Sequence, residues 1–248
     1  MIASLLAVVL AVQLSLPQLF DQALSASREG RFGDALPLWD QVLELAPSDA
    51  AAWSNRGNVA LALGDPQVAI ANQGRAIALD PGQGDPHLNR GTAEESLGQW
   101  DAAEADYRWI LARDPADASA LYNLGNVQGS RGDWLAARTS FTAAADARPS
   151  FAMARSSAAL AAFQLGDLVE AERQLRNLIR RYPLFADARA GLTALLWQRG
   201  AAGEAESHWA AASGLDPRYR QSEWLSQIRR WPPEPVHALE SFLALASR

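Results

Sequence analysis

The chain has 248 residues, 49% of them apolar and 20% charged, enough to bury a sizeable core in one or two domains. Its 22 basic residues, all arginine, stand against 28 acidic ones for a net charge of −6, which excludes the positive field that nucleic acid or an anionic membrane surface requires. There is no cysteine, which excludes disulfides, thiolate metal sites and a cysteine nucleophile together.

The chain opens on an uncharged run, Ile2 to Leu16, dominated by Leu, Val and Ala until Pro17. A membrane span needs about 20 residues, so this length suits the apolar region of a signal peptide better. No arginine precedes the run, and the small-residue stretch Ala23-Leu24-Ser25-Ala26 falls inside the first repeat described below. Residues 1–16 are therefore a signal peptide, an anchor or a packed helix. Export or membrane association, in a periplasm or thylakoid lumen, is favoured over a cytoplasmic location.

From residue 17 to 217 the chain repeats. Prolines stand at Pro47, Pro81, Pro115, Pro149, Pro183 and Pro217, each step being 34 residues. Seventeen residues before each proline stands a glycine: Gly30, Gly64, Gly98, Gly132, Gly166 and Gly200. Five residues beyond each glycine stands an alanine: Ala35, Ala69, Ala103, Ala137, Ala171 and Ala205. The glycine separates two stretches of helical pattern, where a helix end commonly needs a left-handed backbone. The alanine sits where two helices come closest, and the proline, lacking an N–H, ends the second helix. In the fourth unit Leu121, Leu124, Gly125 and Gln128 follow the helical period before the glycine, and Trp134, Ala137, Phe141 and Ala144 follow it after. One such hairpin cannot bury both its faces, so the units must stack on each other.

These residues resemble the tetratricopeptide repeat (TPR) family, whose 34-residue unit carries W-x2-L-G-x2-Y and then A, F and P. Trp53 with Gly57, Leu121 with Leu124 and Gly125, the six alanines, the six prolines, and Trp39, Tyr107, Phe141 and Trp209 at the aromatic position carry the match, over about residues 16 to 217. Departures are Ala23, Ala159 and Thr193 at the small position of the first helix. The resemblance implies an all-α, right-handed superhelical solenoid of about six helix-turn-helix repeats. Beyond Pro217 the period stops. Arg218 to Arg230 reads as one capping helix with Trp224, Leu225, Ile228 and Trp231 on one face and Arg220, Glu223, Arg229 and Arg230 largely on others. After Pro232-Pro233-Glu234-Pro235 comes a last amphipathic helix with Leu239, Phe242 and Leu243, so residues 218–248 form the C-terminal cap.

The first helices of such a solenoid line its inner wall. Asn55, Asn89 and Asn123 hold the same position in the second, third and fourth units, and Asn58, Thr92 and Asn126 lie three residues on, on the same face. An amide offers a donor and an acceptor, the pair needed to grip a peptide group whatever side chain it carries. Peptide-binding TPR proteins look similar in using groove asparagines, which makes these six residues candidate partner-binding positions; the alternative is that they cap or bridge helices. Arg56 and Arg90, also in register, are candidates for contact with acidic partner groups or for interhelical pairing. Tyr122 joins the candidate set, and Tyr122, Met153, Phe163 and Trp197 fall near the inner surface, where an aromatic can anchor a ligand side chain or serve the core. The family's clamp for a C-terminal carboxylate has no good match here.

Catalytic signatures are absent from the sequence. His87, His208 and His237 lie in different units without metal-ligand spacing, so no metal site is assigned. Neither a phosphate-binding loop nor a nucleophile elbow occurs, and neither a cofactor nor a small-molecule substrate is implied. The expected function is a non-catalytic scaffold or assembly factor that takes a protein or peptide in its groove. The competing expectation is a structural subunit that associates through its C-terminal helices.

Overall fold

The computed structural model describes residues 14–246, and among these the chain is helical throughout. Most of the apolar run at the amino terminus lies outside the described residues. No helix within them is long and apolar enough to cross a membrane.

Two compact units make up the chain, dividing after Gly98 in the turn of the third hairpin. The first holds α1 (Leu16–Arg28), α2 (Phe32–Leu45), α3 (Ala50–Ala62), α4 (Pro66–Leu79) and α5 (Gly84–Ser96). The second holds α6 (Trp100–Leu111), α7 (Ala118–Ser130), α8 (Trp134–Ala147), α9 (Ala152–Gln164), α10 (Leu168–Arg181), α11 (Ala186–Gln198), α12 (Ala202–Leu215) and α13 (Pro233–Ala246). Consecutive helices pack on each other from α1 to α5 in the first unit and from α6 to α12 in the second, the antiparallel stacking that the 34-residue period predicts.

Each sequence mark has its local cause in the structure. All six turn glycines take a positive φ, from +70° to +85°. In five of these turns the residue after the glycine donates its N–H to a carbonyl five residues back, as Asp133 does to Gln128 at 2.9 Å, which ties off the helix end. Where that residue is aspartate it also starts the next helix: Asp65, Asp133 and Asp167 each accept a backbone N–H from the first turn through a side-chain oxygen. The residue before each proline makes the last helical bond, Ala46, Asp80, Asp114, Arg148, Tyr182 and Asp216 all donating four residues back at 2.7–3.1 Å. Proline follows because it has no further N–H to give. The six alanines are at most 1% exposed, as the packing role read from their register requires.

The cores differ between units. In the first, Leu19, Trp39 and Val42 centre a cluster in which Phe20 stands edge-on to Trp39 at 5.0 Å and the indole N–H reaches Ser27 Oγ. Its second hairpin has Gln73 where four other repeats place an aromatic and the fifth places Leu175, and that side chain is 1% exposed. Gln73 Nε2 donates to Ser54 O at 2.9 Å and Asn58 Oδ1 at 2.8 Å, while its oxygen accepts from Ser54 Oγ. A polar clasp thus replaces ring packing there.

The larger core belongs to the second unit and joins the fifth and sixth hairpins to the carboxyl terminus through Leu160, Phe163, Leu175, Leu195, Trp231, Leu239 and Phe242. Here the structure departs from the expectation of one capping helix over Arg218 to Arg230. Pro217–Arg220 is a 3-10 turn, the backbone is extended at Gln221, and Trp224–Ile228 has π geometry. Arg230 then turns back with φ +53°. The interruption is driven by burial. Tyr219, Leu225 and Trp231 all point into the core, and no single straight helix would aim Arg229 inward with them. Ile228, placed with them by period, is exposed.

The buried group that organises this segment is Asp187, on α11, at 1% exposure. Its carboxylate accepts from Ser156 Oγ at 2.6 Å, Tyr219 OH at 2.8 Å, Arg229 Nη2 at 2.7 Å and Trp231 Nε1 at 3.0 Å. Arg229, read from the sequence as largely outward, is drawn in to pair with it. Burial alone would raise the Asp187 pKa, but the Arg229 charge and these hydrogen bonds outweigh that and hold it below the ordinary value.

Candidate peptide-binding face

The asparagine positions fall on first helices, α3 and α5 in the first unit and α7 in the second. Between α3 and α5 lies an open recess of about 480 Å³ lined by Asn55, Asn58 and Asn89 together with Ser54, Asp80 and Asp85. Asn55 and Asn89 are half-buried and make no side-chain hydrogen bond among the described residues. Asn58 spends its oxygen on Gln73, so its amide nitrogen is the group left to donate into the recess. Asp80 and Asp85 give the wall negative charge, which favours a neutral or cationic guest over an acidic one.

The other in-register candidates have their own partners. Arg56 Nε donates to Asp40 Oδ1 at 2.7 Å and its Nη1 to Asn72 Oδ1 at 3.3 Å, so it joins α3 to α2 and α4. Arg90 lies 3.9 Å from Glu94 one helical turn on. Thr92 is exposed, and its hydroxyl donates to the Leu88 carbonyl.

In the second unit Asn123 and Asn126 are half-buried on α7 without a side-chain hydrogen bond among the described residues. Tyr122 beside them packs its ring against Phe141 and Phe151, with centroids 5.4 and 5.0 Å apart, which places it at the edge of the core. Met153 meets Arg229, Phe163 is buried, and Trp197 stacks edge-on to Phe242.

The same face changes character along the second unit. The positions equivalent to Asn126 are Leu160 on α9 and Ala194 on α11, and both are buried. Helix α13 packs against these two first helices, anchored where Glu234 N–H donates to Gln164 Oε1. Open amides therefore occur on α7, while the first helices after it are apolar and covered by the chain's own last helix.

Consecutive helical hairpins with this glycine, alanine and proline register match the tetratricopeptide repeat family over residues 20–85, 88–150, 124–174 and 158–219. The chain belongs to the tetratricopeptide repeat family. TPR folds are typically non-catalytic interaction scaffolds. No curated protein matches the sequence. Among solved structures, a chain of the APC/C hetero-tetramer Cut9–Hcn1 superposes with a TM-score of 0.73 at 16% identity, over 92% of this chain and 43% of that one. This TPR chain thus spans less than half the length of that relative. A TPR protein from Parabacteroides merdae gives a TM-score of 0.67 at 17% identity, over 92% of this chain and 98% of that one. YrrB, described as a TPR protein with an unusual peptide-binding site, gives 0.56 at 18% identity, over 72% and 92%. At such identities these likenesses show the fold alone.

Two features of this TPR chain escaped the sequence reading. Gln73 was detectable, since it breaks the aromatic register of Trp39, Tyr107, Phe141 and Trp209. Asp187 was not, because its equivalents in neighbouring units, Met153 and Ser119, share no chemistry with it and its partner Arg229 lies beyond the last repeat.

Proposed function

We propose that this TPR protein is a non-catalytic scaffold or assembly factor whose first-helix face holds an extended peptide segment of a partner protein. The observation that carries the reading is the pairing of Asn55 and Asn89 across one open recess with neither amide committed inside the fold. A half-buried amide that has lost part of its water and gained no protein partner is a cost that a ligand's backbone relieves. Asn123 and Asn126 offer the same chemistry on α7. The packing of α13 on α9 and α11 supports the reading, because it shows first helices of this chain accepting a polypeptide segment.

The alternative, association through the C-terminal helices, has less surface to draw on. Leu225, Trp231, Leu239 and Phe242 are buried within the second unit, and among the described residues the large apolar side chains exposed on those elements are Ile228 and Leu245.

The test is a peptide selected by display on the full chain and then titrated against N55A/N89A. Loss of two or more backbone hydrogen bonds at about 1 kcal/mol each weakens binding by roughly tenfold or more, with the melting temperature little changed. Undiminished binding by the double variant sinks the proposal.

A further inference from the structure

A second surface carries the opposite charge and lies on second helices. Helix α10 bears Arg173, Arg176, Arg180 and Arg181 against Glu170 and Glu172, in a chain whose net charge is −6. Beside it a cleft of about 350 Å³ runs toward α12, walled by Arg173, Arg176, Asn177, Arg180 and His208 and floored by Ile179 and Leu192.

The wall is made almost wholly of donors. Arg176 is fixed in place by Glu172 at 2.8 Å and Glu204 at 2.6 Å, and Arg173 by Glu170. Arg180 has no carboxylate partner among the described residues; it bonds Asn177 Oδ1, which leaves the Asn177 amide nitrogen as a further donor. Arg189 on α11, whose charge reaches His208, donates its Nε to the Pro183 carbonyl at 2.8 Å and has no carboxylate partner among the described residues. His208 Nδ1 is buried without a hydrogen-bond partner. A second depression of about 320 Å³ shares Arg173 and Asn177 with this cleft and adds Arg155 and Arg181.

We propose that the α10–α12 cleft binds an acidic segment of a partner polypeptide, its carboxylates on Arg180, the Asn177 amide and the Nη1 that Arg173 does not spend on Glu170, and its apolar side chain over the half-buried Ile179. Geometry favours a segment over a lone anion. Arg173 and Arg180 are two helical turns apart, about 10 Å along the axis, farther than one phosphate or carboxylate can bridge. The apolar floor has no use for an inorganic ion. Charge distinguishes this site from the recess between α3 and α5, whose wall carries Asp80 and Asp85. The two surfaces would therefore take different segments.

The probe is a fluorescein-labelled peptide of alternating glutamate and leucine, followed by anisotropy on the full chain at physiological ionic strength. Arg180 is exposed and bonded only to its neighbour Asn177, so R180E leaves the fold intact by circular dichroism. It is expected to weaken binding by about fivefold or more, and R180Q by less in the same direction. R75E changes net charge equally at an exposed site on α4 and is expected to stay within about twofold of wild type. Absence of binding, equal loss in R75E and R180E, or displacement by inorganic phosphate at matched ionic strength each overturns the assignment.

Discussion

Asp187→Ala is the sharpest perturbation of this fold. The wild-type carboxylate is buried and accepts hydrogen bonds from Ser156, Tyr219, Arg229 and Trp231, so one side chain ties α9, the 3-10 turn and the π-helical segment to α11. Removing it strands the Arg229 guanidinium, only 12% exposed, without a counter-charge, along with an indole N–H and two hydroxyls. Breaking a buried pair from one side costs about 3–5 kcal/mol, far more than the pair contributes against an apolar replacement. For a chain of this length about 1 kcal/mol moves the melting temperature by roughly 2–4 °C, so D187A should melt about 10 °C below wild type. Thermal unfolding by circular dichroism reads the shift, and limited trypsin digestion locates it, since Arg218, Arg220 and Arg230 lie in the segment released. Arg229→Met in the D187A background removes the stranded charge and should recover part of the loss. A fall of less than about 1 kcal/mol in D187A, or strictly additive effects of the two changes, would refute the reasoning.

Other consequences can be checked by the same unfolding measurements. The Asp187 carboxyl is held below its ordinary value, so its network contributes fully above the unfolded-state pKa of about 4 and is lost as pH falls through the lower folded-state value. Glu170, brought to about 2 by hydrogen bonds from Arg173 and Gln174, acts in the same direction but more weakly because its main partner, Arg173, is exposed and the pair is screened by solvent. Wild-type urea midpoints should therefore drop on acidification below about pH 4 more steeply than those of D187A, and parallel curves would count against it. Two glycine substitutions should move stability in opposite directions. A Cβ on Gly125 would stand 2.6 Å from the buried Phe141 ring, so G125A loses about 1–2 kcal/mol net, whereas Gly74 meets nothing nearer than 3.9 Å and G74A gains up to about 1 kcal/mol of helix propensity.

The hairpin fold was legible because its determinants are local and recur: the glycine that must enter positive φ, the alanine at the tight crossing and the proline after the last donor each act within one 34-residue unit. The asparagine register was legible for the same reason, since Asn55 and Asn89 differ by one period and face one recess. What the residues cannot announce is which polar side chain finds a partner across space. Arg56 looks the same in sequence whether it faces a guest or pairs with Asp40, and only the packing of α2 beside α3 decides it. The apolar spacing of the C-terminal segment suits one continuous helix. The pull of a single buried carboxylate, 42 residues away from Arg229, bends it into a turn and a π segment instead.

The account stands most directly on the side-chain amides of the first helices. With a display-selected peptide added to 15N-labelled chain, the NH2 resonances of Asn55 and Asn89, which share the recess between α3 and α5, should shift progressively with occupancy, while those of Asn177 beside the basic cleft stay in place. Peptide binding that leaves both unmoved would contradict it.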